Sequence, residues 1–369
     1  MRLVKFGDVV KEVKVNIDRT NNPYDFYVAG DHMDSEDLTI RRKGRFATDD
    51  VGPAFTRLFK PGQILYGSRR TYLKKVAVAD FEGICSNTTF VLETKDESVL
   101  RQRLLPFIML TDDFTKWSIS KSKGSTNPYI LFSDLANYEF ELPDITHQDE
   151  LVELLWQAYA TKESYKEMIQ ATDEMVKSQF ISQFGNPVTN PMEWPTKPMC
   201  EVAPESPSAT KLSGDVWILN LDMIESNSGQ VIKKVYSKSD DLNSVSAFDE
   251  GNVLFSKLRP YLNKVTMPDE KGYATTELVP LRPHTSELRQ HFLSFLLRSD
   301  EFVKYADGIA IGTKMPRMPM TALREFKCIL PPVEQQDEFC RLSQQADKSK
   351  FELKQAIEKI DKVMRALMQ

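Results

Sequence analysis

Two stretches of the chain each place arginine, tyrosine and lysine in a loop that follows an apolar run. Residues 66–75 read YGSRRTYLKK, and residues 255–264 read FSKLRPYLNK. Guanidinium and ammonium groups bind phosphates, arginine also reads guanine, and tyrosine adds a hydroxyl group and a flat ring. The two loops are therefore predicted to contact DNA through Arg69, Arg70, Tyr72, Lys74, Lys75, Lys257, Arg259, Tyr261 and Lys264. Core packing of the tyrosines and surface salt bridges of Arg70 and Arg259 stay open as alternatives.

A second pair of loops combines glycine, hydroxyl side chains and basic residues. Residues 121–127 read KSKGSTN, and residues 312–317 read GTKMPR. Glycine lets the backbone approach a phosphate closely, and the neighbouring bases neutralise its charge. We expect Lys123, Lys314 and Arg317 to contact DNA, although a plain turn accounts for each loop equally well.

The distribution of charge favours a polyanionic partner, although the net charge of −5 does not. Residues 41–76 contain ten basic and two acidic residues, whereas residues 148–186 contain seven acidic and three basic residues. A local basic patch, rather than the charge of the whole chain, sets affinity for nucleic acid. The predicted DNA contacts therefore include Arg41, Arg42 and Lys43. A solvated surface without a partner is the alternative.

No arrangement of residues predicts catalysis or a metal site. The Asn-Pro-Tyr triplets at residues 22–24 and 127–129 lack the second proline of the Asn-Pro-Pro-Tyr loop of adenine methyltransferases. The sequence has no phosphate-binding loop of the Walker type, and its four histidines form no pair at helical spacing. We therefore expect no catalytic residue, metal or cofactor on this chain. A DNA methyltransferase or nuclease that acts on its own is the alternative.

Both pairs of loops belong to an internal repeat. Residues 62–76 align with residues 251–265 at a shift of 189, with seven of fifteen positions identical. Residues 100–117 align with residues 288–305 at a shift of 188, with eight of eighteen identical. A period this long indicates two homologous domains in tandem rather than a solenoid.

Each repeat combines a mixed domain with a long helix. Short runs rich in β-branched and aromatic residues predict strands, and helical segments lie between them, so the fold class is α+β. The predicted domains are residues 1–147 and 187–335, and the predicted long helices are residues 148–186 and 336–369.

The long helices carry apolar residues at 3-4 spacing over four heptads, which is typical of a coiled coil. In the second helix these are Phe339, Leu342, Ala346, Leu353, Ala356, Ile360, Val363 and Leu367. Subtracting 188 gives Leu151, Leu154, Ala158, Tyr165, Met168 and Met175 in the first. The first helix leads away from domain one and the second leads back, so the pairing is predicted to be antiparallel, over a rod of roughly 50 Å. Separate packing of each helix on its own domain is the alternative.

The composition is ordinary for a globular protein, with 41% hydrophobic and 27% charged residues. We expect no membrane span and no secretory signal, because no long apolar stretch exists and the first residues lack an apolar core. The four cysteines are scattered without a CxxC pair, which predicts reduced thiols and a cytoplasmic location.

The chain resembles the specificity subunit of type I restriction–modification systems. The resemblance rests on SKLRPYL at 256–262, GYATTEL at 272–278, GTKMPR at 312–317 and LPPVEQQ at 330–336, with MVKSQFISQFG at 175–185. It covers the whole chain, including the repeat and the long helices.

This resemblance implies two target-recognition domains, each of which reads one half of a split double-stranded DNA target. The paired helices would space the halves and dock two modification subunits, which bring S-adenosylmethionine and methylate adenine. Restriction subunits would join them to translocate and cut DNA. The chain itself would be non-catalytic and would have no membrane partner. The first loop reads GSRRT at 67–71 where the second reads SKLRP at 256–260, and such a difference suits domains that read different half-sites.

Overall fold

The structure is a computed structural model, which describes residues 2–18, 21–207, 212–238 and 245–368. The chain divides into two compact units, which are Met1–Lys166 together with Lys354–Gln369, and Glu167–Leu353. Each unit combines sheets with helices, so the predicted α+β class is confirmed.

The strands of the first unit are β1 (Arg2–Lys5), β2 (Val10–Glu12), β3 (Phe26–Val28), β4 (Gly44–Arg45), β5 (Phe55–Phe59), β6 (Ile64–Gly67), β7 (Val76–Val78), β8 (Gly83–Ser86), β9 (Thr89–Thr94) and β10 (Glu139–Leu142). Its helices are α1 (Phe6–Val9), α2 (Leu105–Leu110), α3 (Asp112–Lys121), α4 (Phe132–Leu135) and the first part of α5 (Ile145–Phe184).

Two four-stranded sheets position the loops of the first unit. Their strand orders are β2-β9-β6-β7 and β4-β3-β8-β5, and a short ladder joins β1 to β10. β3 and β8 pair in parallel, with Tyr27 opposite Ile84. Leu65 and Val91 pack in one core and Leu92 packs in another, so both faces of the first sheet are covered. This double burial explains why β6 and β9 read as continuous apolar runs.

The strands of the second unit are β11 (Thr196–Pro198), β12 (Asp215–Leu219), β13 (Val235–Lys238), β14 (Val245–Phe248), β15 (Val253–Ser256), β16 (Val265–Thr266), β17 (Gly272–Thr275), β18 (Leu278–Leu281) and β19 (Lys327–Ile329). Its helices are α6 (Met199–Val202), α7 (Gln290–Arg298), α8 (Asp300–Gly308), α9 (Met320–Glu325) and most of α10 (Val333–Leu367).

The second unit repeats the arrangement of the first, with three strands instead of four in the sheet that contains β15. Its strand orders are β13-β12-β17-β14 and β16-β15-β18, and β11 pairs with β19. The parallel pair recurs between β12 and β17, with Ile218 opposite Tyr273. β15 corresponds to β6, so the same loop follows each of these strands.

A buried glutamine fixes the start of each long helix. The Gln148 Oε1 accepts the Arg101 N–H at 3.0 Å, and its Nε2 donates to the carbonyls of Val99 and Pro143, both at 2.9 Å. Gln336 makes the equivalent bonds, at 2.8–2.9 Å, with Arg289, Glu287 and Pro331. These partners lie 188 residues later, so the same hydrogen bonds orient α5 and α10.

The packed side chains of α5 have the predicted heptad spacing. From the predicted position 154 onward, however, each packed residue lies one position later in the sequence than predicted. The buried and partly buried positions of this seam are Gln148, Val152, Leu155, Tyr159, Lys162, Lys166, Ile169, Asp173, Val176 and Phe180. A seam that contains lysine and aspartate is hidden from a search for apolar residues alone.

The predicted stripe therefore lies beside the seam. Leu151, Phe339 and Ala346 are buried as predicted. Ala158, Tyr165, Leu342, Leu353, Ala356, Ile360 and Leu367 are partly buried. The prediction was wrong for Leu154, Met168, Met175 and Val363, which are each just over half exposed.

Equivalent ion pairs join the two helices in each unit. Lys162 and Asp361 are 2.6 Å apart in the first unit, and Lys350 and Asp173 are 2.5 Å apart in the second. In the second unit Phe180 also packs on Phe339, with ring centres 5.3 Å apart. Because residue numbers rise along one helix as they fall along the other, the pairing there is antiparallel.

Candidate nucleic-acid interface

The loops after β6 and β15 contain the same strained turn. A short 3₁₀ turn, Thr71–Leu73 or Pro260–Leu262, lies between two left-handed residues. These flanking residues have φ of 50° and 47° at Arg70 and Lys74, and of 49° and 48° at Arg259 and Asn263. Non-glycine residues seldom adopt this conformation, and it persists where the surrounding structure enforces it, often at functional sites.

In each unit the structure brings the two predicted DNA-binding loops together. The Arg70 N–H donates to the Pro128 carbonyl at 2.7 Å, and the Arg259 N–H donates to the Pro316 carbonyl at 2.7 Å. Arg69 also forms a β-bridge with Tyr129. Each unit thus presents one composite surface, which we call the loop pair: residues 67–75 with 121–130, and residues 256–264 with 311–317.

Lysines hold the base of each loop pair. The Lys75 Nζ donates to the Gly30 carbonyl, and the Lys264 Nζ donates to the Leu221 carbonyl at 2.6 Å. Both lysines are partly buried. These bonds make Lys75 and Lys264 supports of the loop.

Several basic side chains of the loop pairs have no acidic partner. Across the part of the chain that the structure describes, no carboxylate pairs with Arg69, Arg70, Lys257 or Lys314. Arg69, Arg70 and Lys314 are exposed, and Lys257 is partly buried. Uncompensated, accessible cations suit the binding of phosphates.

Other basic residues of the loop pairs are neutralised within the protein. Lys74 lies 3.2 Å from Glu36 and 2.8 Å from Asp112. Burial opposes the charged form of Lys74, but these carboxylates outweigh it and raise the pKa of the ammonium group. Lys123 pairs with Asp134 at 3.1 Å, and Arg317 pairs with Glu277 at 2.7 Å. Their charge is less available to DNA than the sequence alone indicated.

The side chain of Arg259 is more buried than that of Arg70. Its Nη2 donates to the Lys314 carbonyl at 3.2 Å, and its Nε is buried without a hydrogen-bond partner among the described residues. Arg70, at the equivalent position of the first unit, is exposed. The surface salt bridge that was considered for Arg259 is replaced by a bond to a carbonyl.

The basic segment around β4 is largely engaged with its own unit. Arg41 bonds to Asp37 at 2.8 Å and also to Glu163, while Arg42 bonds to Asp34. The Lys43 Nζ lies 3.9 Å from the centre of the Phe26 ring.

Arg45 was not singled out from the sequence, although it belongs to the same basic run. Its side chain is exposed, and among the described residues its guanidinium group pairs with no carboxylate. Its guanidinium lies 5.1 Å from the centre of the Phe26 ring. The strand β4 presents it, and a short strand with one arginine gives no separate signal in the sequence.

A buried carboxylate ties this segment to α5. Asp37 accepts hydrogen bonds from the Tyr159 hydroxyl at 2.8 Å and from the Thr39 N–H at 2.9 Å. Burial on its own would raise the pKa of Asp37, but these bonds and the bond from Arg41 lower it to about 2. Asp37 therefore stays ionised and fixes the start of the basic segment to the helix.

The described residues contain no group of histidines, cysteines and acids that could hold a metal ion. None of their helices is long and apolar enough to cross a membrane.

Comparison with known proteins gives a family match for the first part of the chain. Residues 11–171 match the model of the type I restriction modification DNA specificity domain. This segment is similar to that specificity domain. The predicted resemblance to type I specificity subunits is thereby confirmed.

A curated relative is the type I restriction enzyme EcoDI specificity subunit of Escherichia coli, which is 26% identical over 170 residues. That alignment covers 46% of this chain and 36% of the relative, so the matched segment spans only about a third of that protein's length.

Two solved structures share the fold over the whole chain. One is a chain from a study of complex assembly and conformational transition of the type I R-M system, with 18% identity and a TM-score of 0.56. The other is the type I restriction-modification S subunit from M. genitalium, with 13% identity and a TM-score of 0.53. Each alignment covers 100% of this chain and 96% of the other chain. The tandem α+β architecture with long helices is therefore shared.

Proposed function

We propose that this chain is the DNA-recognition subunit of a type I restriction–modification complex, and that each unit reads one half of a split target. The observation that carries the proposal is the loop pair, which recurs with the same backbone in both units but with different side chains. In the alignment of the two repeats, Arg69 corresponds to Leu258 and Tyr129 corresponds to Arg317. Equal scaffolds with unequal side chains suit two readers of different sequences.

The uncompensated cations of the loop pairs would supply the affinity. Arg69 and Arg70 lie side by side in the first unit, and Lys257 and Lys314 lie in the second. Phosphate contacts from such residues position a protein on a duplex, and an arginine that reaches the major groove also selects guanine. Catalysis would belong to partner subunits.

The long helices offer a surface for those partners. Leu154, Met168, Met175 and Val363 remain exposed beside the packed seam. Apolar side chains that recur along one exposed helix face suit the docking of another protein. We propose that two modification subunits dock there, bind S-adenosylmethionine and methylate adenine, and that restriction subunits join this complex.

Exchange of one domain tests the proposal. Residues 1–147 are replaced by the equivalent residues of a relative that has another target. The chimaera retains Gln148 and both long helices and is expressed with the modification subunits. Methylation mapping should show one half of the target changed and the other half and the gap unchanged. The matched control exchanges residues 187–335 and should change the other half. A change of both halves in either chimaera would contradict independent reading.

A further inference from the structure

The loop pairs contain positions that are shared by both units and positions that differ. Arg70, Tyr72 and Lys75 align with Arg259, Tyr261 and Lys264 at a shift of 189. Arg69 and Tyr129, by contrast, align with Leu258 and Arg317. Because the backbones agree, the shared side chains start from equivalent places in the two units.

The shared residues do not all face outward. Lys75 and Lys264 donate to carbonyls at the base of their loops, and Arg259 donates to the Lys314 carbonyl. Tyr72 and Tyr261, in contrast, are 53% and 49% exposed. Among the described residues, no hydrogen bond is made by either hydroxyl group. The two tyrosines are thus the shared side chains that both units hold out to solvent.

The strained turn explains how these tyrosines are held. Tyr72 and Tyr261 lie in the middle of 3₁₀ turns, between two left-handed residues in each case. Such a turn fixes the direction of the Cα–Cβ bond at its tip. Because the backbone is fixed, only the two side-chain torsions of each tyrosine remain to be ordered on binding, so little conformational entropy is lost.

A residue that is the same in two readers of different sequences cannot distinguish those sequences. The partner that both half-sites share is the sugar–phosphate backbone, and tyrosine hydroxyls commonly donate to phosphate oxygens. Insertion of the ring between base pairs suits this position less well, because the cost of opening a base step depends on its sequence.

We infer that Tyr72 and Tyr261 are sequence-independent anchors, each of which donates a hydrogen bond from its hydroxyl group to a DNA phosphate. The inference rests on the proposed function and assigns a division of labour within the loop pair. The shared tyrosines set the distance and orientation of each unit on the duplex. The differing positions, such as Arg69 and Tyr129, read the bases.

The test uses the full chain in complex with its modification subunits. Tyr72→Phe and Tyr261→Phe remove the hydroxyl group and keep the ring. Affinity is measured for the target, for targets with either half-site altered and for unrelated DNA, over a range of salt concentrations. Each variant should lose about tenfold to a hundredfold in affinity for every DNA, which is the net effect of one hydrogen bond to a charged acceptor. The salt dependence should not change, because a neutral hydroxyl group releases no counterion.

Tyr236→Phe is the matched control, since it makes the same chemical change at an exposed tyrosine of β13, outside both loop pairs, whose hydroxyl group donates to Glu270 at 2.6 Å. It should leave affinity for every DNA unchanged. The inference is overturned if Tyr72→Phe leaves affinity intact, if its loss is confined to the target, or if Tyr236→Phe causes the same uniform loss. A wild-type complex that prefers no DNA sequence would instead overturn the proposed function.

Discussion

Replacement of Arg70 by two different residues distinguishes the contribution of its guanidinium group to DNA binding from the cost of its strained backbone to stability. Arg70 has φ of 50°, which costs a residue with a Cβ about 1–2 kcal/mol and costs glycine far less. Arg70→Gly and Arg70→Ala both remove the charge, but only glycine relieves the strain. Glycine also gains freedom in the unfolded chain, which offsets part of this benefit. We expect Arg70→Gly to exceed Arg70→Ala in unfolding free energy by about 1 kcal/mol, or roughly 2–4 °C in Tm.

The same two variants should lose DNA affinity equally. If Arg70 contacts a phosphate, the slope of log K against log salt concentration should fall by about 0.9 for both, at every DNA sequence. If it reads guanine, about 1–3 kcal/mol of discrimination should vanish at one base pair. Thermal denaturation and binding titrations at several salt concentrations supply the data. Equal Tm values for the two variants would refute the strain argument, and unchanged affinity would remove Arg70 from the interface.

Three further outcomes follow from the structure. Gln148→Leu should lower the unfolding free energy by about 1–3 kcal/mol, because it leaves buried backbone groups without hydrogen-bond partners. Gln157→Leu, at an exposed position of the same helix, should leave the unfolding free energy unchanged, and urea denaturation of the two variants measures the difference. Because the pKa of Asp37 lies at about 2, below its usual 3.8, its stabilisation is present above pH 3.8 and is lost as the pH falls through about 2. Asp37→Asn should therefore cost about 2 kcal/mol at neutral pH and much less in acid, as denaturant titrations at each pH would show. One extra heptad after Lys166 and one after Leu353, where the chain passes from one unit to the other, should lengthen each helix by about 10.5 Å and alter the gap in the methylated target by about three base pairs. An unchanged gap in a folded, active complex would show that the helices do not set the spacing.

The sequence predicted the features that depend on local pattern or on the repeat. The α+β class, the pairing of the long helices and the presence of related loops after β6 and β15 are all visible in short segments. The repeat was especially informative, because the second copy of a motif distinguishes a constrained position from a chance one.

The remaining features depend on contacts between distant residues. Lys74 belongs to a basic run, but Glu36 and Asp112 neutralise it, and neither lies near it in the sequence. The seam of α5 was predicted one residue too early because the real seam contains Lys162 and Asp173. Their charges are paired with partners on α10. A charge that is paired after folding looks the same in the sequence as one that is free.

The division of the long helices between the units has a consequence for the order of folding. The second unit, Glu167–Leu353, is one continuous segment, whereas the first requires Lys354–Gln369 to complete it. In the first unit the buried Lys162 finds its partner Asp361 only after that segment has been synthesised. During translation, domains usually finish in the order in which they are made. Here the first unit begins first and is completed last. Part of the seam of α5 therefore stays uncovered during translation until Lys354–Gln369 has been synthesised.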